Sequence, residues 1–151
     1  MFVGDLDGIW SPAHVHTPLL GAEIVLDAHA DLEIPLVRGF EHAVLLLGGT
    51  AEVAGTPHTT SGLLYLGDGR DHVRVRSLDG ARLLLLGGAP FAHDIVMWWN
   101  FVGRAHDEIV EARDAWEAGA ARFGHVVGHG DERVPAPPLP AVRLTPRRRR
   151  G

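Results

Sequence analysis

From Leu19 to Gly103 the chain is a succession of short apolar runs, each bounded by Gly, Pro, Asp or Asn, and that punctuation suits strands far better than helices. Ala22 to Ala28 and Asp31 to Val37 alternate in part, as strands with one wet face do. His42 to Leu47 is apolar at almost every position and ends at Gly48-Gly49, which predicts a strand buried on both faces followed by a tight turn. Ala51 to Val53, Gly62 to Leu66 and His72 to Val75 read as further short strands. Asp68-Gly69 and Asp79-Gly80 tolerate positive φ, so each is expected to turn the chain. The second of these pairs separates Val73-Arg74-Val75-Arg76, which alternates strictly, from Arg82 to Leu86, which does not. Asp94 to Val102 is rich in β-formers and is expected to be the longest strand, closed by Gly103.

The period then changes. Ile109, Ala112 and Trp116 recur at spacings of three and four among charged residues, which predicts one amphipathic helix over about 106–118. Asp107 and Glu108 favour its N-terminal dipole, and Gly119 is available to end it. From 125 to 151 the expectation is an extended, Pro-rich and basic tail, with Pro135 to Pro140 polyproline-like and lying on a surface.

At 151 residues the chain holds enough for one domain, spanning 1–124 before that tail. Absence of cysteine excludes disulfides, thiolate nucleophiles and cysteine-ligated zinc, so a metal would need His and carboxylate. The formal charge of -5 argues against nucleic acid as a partner. The run Arg147 to Arg150 is expected to be a solvated end. No apolar stretch is long enough for a membrane span, and the N-terminus lacks a secretory pattern, so the cytoplasm is the expected compartment. Ser11, Ser61 and Ser77 have no flanking arrangement typical of a nucleophile, and the paired glycines lack the following Lys-Ser or Lys-Thr of a phosphate loop.

About eight glycine-punctuated strands followed by one helix suggest an all-β jelly-roll barrel of the cupin type. Gly87-Gly88-Ala89-Pro90-Phe91, Ile95 to Arg104, His106 to Ile109, and Ala112-Arg113 before Trp116 closely resemble the C-terminal half of pirin-like proteins. Ser11-Pro12, Thr17 to Glu23 and Arg133 to Pro140 resemble the same family's flanks, so the likeness covers nearly the whole chain. The resemblance implies a two-cupin ancestor whose metal, usually iron, lies in an N-terminal half. Nothing in this sequence corresponds to that half, which leaves a fragment, a trimmed chain or a stand-alone half. Relatives of this kind include quercetin 2,3-dioxygenases, in which a metal positions a flavonol for attack by dioxygen.

A cupin metal site needs three imidazoles and a carboxylate converging in the barrel. Glu41, six residues and Gly48 match the second half of the first cupin motif. Counting back, the paired histidines would fall at Ile34 and Leu36, or at Pro35 and Val37, none of which can bind a metal. Gly67 to His72 resembles the end of the second motif, with Gly for Pro and one residue fewer after Gly62. The resemblance therefore implies no catalytic residue and no metal in this chain, iron or another divalent ion being expected in the N-terminal half alone. It leaves a vestigial pocket in which Glu41 and His72 hydrogen-bond each other or a small ligand. The pair His14 and His16 has strand-face spacing but no following carboxylate, and is expected at a surface; the enzyme alternative would recruit it to Glu41 and His72. Glu41 and His42 are neighbours on a strand and so face opposite sides. Of Trp98 and Trp99, neighbours on the same expected strand, one should point in and one out. A structural or interactive role follows, with Trp98, Trp99, Phe101 and Trp116 as interface candidates, and with a homodimer or a separate N-terminal cupin half as partner.

Overall fold

A computed structural model describes residues 1–59, 62–130 and 132–146. The chain forms two compact units, Met1–Pro90 and Phe91–Gly151. The first contains β1 (Asp5–Leu6), β2 (Ile9–Trp10), β3 (Leu19–Pro35), β4 (Glu41–Gly49), β5 (Ala51–Val53), β6 (Thr56–His58), β7 (Leu63–Gly67) and β8 (His72–Gly88). Its spine is the antiparallel pair β3–β8, which keeps a single register from Leu19↔Gly88 to Pro35↔His72. β4 joins the C-terminal half of β8, and β7 lies on β4; β5 joins the N-terminal half, and β6 lies on β5. The result is one curled antiparallel sheet.

Because β8 runs unbroken, Asp79-Gly80 does not make the turn expected from its composition. A residue that tolerates positive φ also serves to bend a long strand, and Gly80 does that at φ 91. On β3 the same level carries His29 at φ 63, and on β4 Gly49 at φ 75. These three positions form a corner at which the sheet folds over its own core. For the same reason Ala22–Ala28 and Asp31–Val37 are not separate strands: they join as β3, with His29 at the bend. Two-residue hairpins with both loop residues left-handed, Asp7-Gly8 and Ala54-Gly55, close β1–β2 and β5–β6.

Strand parity decides what is buried. Even-numbered residues of β3 and β4 and odd-numbered residues of β8 point inward, so Leu20, Leu26, Val44, Leu46, Val73, Val75, Leu83 and Leu85 make one core. The outer faces of the two ends differ. At the β5 end, Arg74 donates to both carboxylate oxygens of Asp31 at 2.7 and 2.6 Å, and Arg76 lies between Asp31 and Glu52. At the β4 end the outer face carries Leu45 and Leu47, Leu84 and Leu86, and, from β7, Leu63 and Tyr65. Leu47 and Leu63 are exposed and Leu45 is only half-buried, so β4 is not buried on both faces as its apolar run suggested.

The second unit contains β9 (Val96–Trp98), β10 (Phe101–Gly103), α1 (His106–Glu117) and a short 3-10 turn, Ala121–Phe123. The single long strand expected over Asp94–Val102 is thus a hairpin, with Trp99 at φ 51 in its loop. Packing outweighs strand propensity here, since the left-handed loop turns Trp99 onto Phe101 and Trp116. Helix α1 ends in a Schellman arrangement: Gly119, at φ 66, donates to the Trp116 carbonyl, and Ala120 to that of Ala115. The chain from Arg133 onward lies along this helix. Trp116 Nε1 donates to the Val134 carbonyl at 2.8 Å, the Ala136 amide to Glu117, and Arg113 to the Pro137 carbonyl. Val96, Phe101, Ile109 and Ala136 form the core of this unit. The basic run Arg147 to Arg150 lies outside the described residues, as does Ser61.

Candidate functional site

The barrel interior is where cupin chemistry would be built, and the two candidate imidazole positions there are filled by aliphatic side chains. Ile34 and Leu36 are 4% and 9% exposed and belong to the core cluster, whereas Pro35 and Val37 face out. Neither arrangement offers a nitrogen or oxygen donor, so the residues present do not fit a cupin metal. Among the described residues no three His, Asp or Glu side chains converge as a ligand set.

Glu41 and His72 each have a partner of their own. Glu41 sits on the outer face of β4, where the Tyr65 hydroxyl donates to it at 3.0 Å. His72 opens β8, exposed, with Nδ1 2.7 Å from Asp71. This contact first, then a backbone hydrogen bond and last the charge of Arg38, hold the Asp71 carboxyl below its usual range.

The imidazole that does point inward is that of His42, in step with Val44 and Leu46. It is 1% exposed, lies 6.1 Å from the Phe40 ring, and abuts Gly87, where a Cβ would strike it. Neither ring nitrogen has a hydrogen-bond partner of acceptable geometry. The sequence motifs assign this residue no role; its parity with Val44 and Leu46 is the signal that places it inside. Burial pushes the imidazole pKa down, and the Phe40 backbone offsets only part of that.

The sign of the consequence follows from linkage. His42 stays neutral in the folded chain while the unfolded chain takes up a proton below about pH 6.5, so stability is full above that pH and declines as pH falls toward the lowered folded pKa. The expected slope is at most about 1.4 kcal/mol per pH unit. His42→Leu should flatten it without loss of stability at pH 8, as removing an unpaired buried polar group can. Urea titrations at several pH values check this, and an unchanged slope in the variant would refute it. The carboxylates of Glu23 and Asp31, held low first by hydrogen bonds from Arg82 and Arg74, act in a more acidic window and do not blur the comparison.

A cleft of about 480 Å³ opens at the sheet corner, lined by His29, Asp31, Glu52, Arg76 and Ser77 among others. Its arginine already bridges both acids, and Ser77 donates to the Thr50 carbonyl at 2.7 Å. The Ser11 hydroxyl likewise bonds the Phe2 carbonyl. These hydroxyls hold backbone in place. His14 and His16 meet edge to face, and His106 accepts from the Leu144 amide. Of the interface candidates, Phe101 is buried, while Trp98, Trp99 and Trp116 pack on the core of the second unit in one aromatic cluster.

Comparisons with known proteins agree with this geometry. Residues 21–124 match the family model described as the pirin C-terminal cupin domain. A Pseudomonas aeruginosa protein provisionally named a quercetin 2,3-dioxygenase is 44% identical over 140 residues, covering 93% of this chain and 44% of its own length. A pirin-like protein of Caulobacter vibrioides is 27% identical over 137 residues, covering 91% of this chain and 46% of its own. The crystal structure of a quercetin 2,3-dioxygenase from Acinetobacter baumannii superposes with a TM-score of 0.78 at 36% identity, over 94% of this chain and 48% of that one. The chain therefore spans less than half the length of the relatives it matches. No helix among the described residues is long and apolar enough to cross a membrane. Fold, residues and relatives agree that the chain belongs to the pirin family, as a C-terminal cupin domain.

Proposed function

We propose that this domain is the non-catalytic, metal-free half of a pirin-type cupin pair, acting in the cytoplasm through structure and association. The observation that carries the reading is the aliphatic filling at Ile34 and Leu36, where an interior donor pair would have to stand. Restoring a site would need donors at both positions at once. Where the chain works as part of a longer protein, a quercetin 2,3-dioxygenase reaction of the kind named for its relatives would be carried by the other half.

The test is metal content. After incubation with Fe(II), Mn(II), Cu(II) or Ni(II) and gel filtration, the chain should retain far less than one ion per molecule. Its melting temperature should not rise with any of them, because an ion bound only to the folded state would stabilise it. One tightly held ion per chain, lost on substituting Glu41 or His72, would overturn the reading.

A further inference from the structure

We infer that the groove along α1 in the second unit is a recognition site for a proline-rich extended segment of another protein, and that the chain's own C-terminal arm occupies it in cis as a displaceable strap. The inference goes beyond the metal-free reading of the barrel, which stands or falls without it. Pro135, Pro137, Pro138 and Pro140 each hold φ at about −65° and each drive the preceding residue into extended backbone. Together they set Val134 to Pro140 as a polyproline helix, and that stretch is neither α-helix nor strand. Such a helix has three residues per turn, so groups three apart share a side. The contacts of the arm follow that period. Arg133 bonds the Glu117 carboxylate, Ala136 is 8% exposed in the core with Phe101 and Ile109, and Leu139 packs against the same core, while the prolines themselves stay exposed.

The helix is matched to the same period. Trp116 Nε1 donates to the Val134 carbonyl at 2.8 Å and Arg113 Nε to that of Pro137 at 2.9 Å, so two carbonyls three apart meet two donors three apart on one face of α1. The remaining polar bond goes from the Ala136 amide to Glu117. These are bonds to backbone, and the side chain buried most deeply is a single methyl group. What the groove reads is therefore a rigid polyproline backbone with a basic residue, a small residue and a leucine at successive turns, and any segment of that chemistry presents the same atoms. The arm reaches the groove through turns at Gly119, Gly124, Gly128 and Gly130, all at positive φ. On such a leash it competes at an effective concentration on the order of millimolar, so a segment from outside gains the groove as the hold of the arm weakens.

The test is binding of a fluorescently labelled peptide, with the sequence of residues 133–140, to the full chain, read as anisotropy. Two variants loosen the strap: Ala136→Glu, which puts a charge where the core has no partner for it, and Arg133→Ala, which removes the bonds to Glu117 and leaves the core intact. Circular dichroism and a cooperative melt establish folding, and Arg133→Ala alone decides if Ala136→Glu fails that check. Ala136→Glu should bind the peptide at least about tenfold more tightly than the unaltered chain, and Arg133→Ala about threefold more tightly, because the arm competes less. Adding Trp116→Phe to either variant removes the donor to the Val134 carbonyl and should weaken binding about fivefold. A peptide with alanine for every proline keeps the three contacting side chains but must be ordered on binding, and should bind at least about tenfold more weakly. No binding by a folded arm variant, equal binding by the unaltered chain, or indifference to Trp116→Phe or to loss of the prolines would each overturn the inference. Self-association of the unaltered chain that the free peptide abolishes would give the groove to the arm of a second copy and overturn the partner named here.

Discussion

Gly49→Ala is expected to destabilise the barrel unit by about 3 kcal/mol or more, a large share of the stability a small unit possesses. Two costs add. The residue sits at φ 75, a conformation that a Cβ penalises by roughly 1–2 kcal/mol. That Cβ would also press into the Gly80 carbonyl oxygen and within 2.9 Å of the Ala81 Cα, on the strand paired with β4. Backbone there cannot give way cheaply, and forced overpacking costs a further ~1–3 kcal/mol. Gly48→Ala is the control, since a Cβ at Gly48 meets nothing within 4 Å; its stability should stay within about 1 kcal/mol of the parent. Urea unfolding of both variants decides the matter. Equal midpoints would mean that the corner relaxes and that the close approach of β4 to β8 is not what fixes the bend.

The same corner shows where the sequence was legible and where it was not. Val73-Arg74-Val75-Arg76 announced one wet face, and the structure places Arg74 and Arg76 outside, with Val73 and Val75 in the core. Local composition cannot distinguish a glycine that reverses the chain from one that bends a strand already paired along its whole length. Gly80 therefore read as a turn, although the constant β3–β8 register carries the strand through it. The loop at Trp99 was hidden for a related reason: a run of β-formers gives no warning that an aromatic residue will accept φ 51 in exchange for packing on Phe101 and Trp116.

Around the candidate site, the missing donors were readable because they depend on residue type alone: Ile34 and Leu36 cannot ligate whatever the fold. Which of Glu41 and His42 enters the barrel depends on parity, and parity is fixed by pairing with β8. The spacing to Gly48 drew attention to the carboxylate, while the strand buries the imidazole one residue later. The apolar run over β4 suggests burial on both faces. Its outward residues Leu45 and Leu47 are instead half-buried and exposed, a distinction that periodicity does not contain.

In the second unit, Trp116→Ala should cost about 3 kcal/mol, the lower end for a large aromatic because the ring is half-buried. The indole joins three parts of this unit. Its ring meets Trp99 of the β9–β10 loop at 5.9 Å and Phe123 of the 3-10 turn at 5.2 Å, and its Nε1 holds the Val134 carbonyl of the C-terminal arm. Truncation to alanine removes all three contacts, so the arm should lose order along with the helix end. Hydrogen exchange reads this directly: the Ala136 amide, bonded to Glu117, should exchange much faster in the variant. Trp116→Phe separates the contributions, because it keeps a ring for Trp99 and Phe123 but leaves the Val134 carbonyl without its donor. That loss should be about 1 kcal/mol, with the arm loosened and the hairpin unaffected. If the phenylalanine variant matched alanine in both stability and exchange, the hydrogen bond to Val134 would be the whole of the effect, and the aromatic cluster would be packing without consequence for the helix.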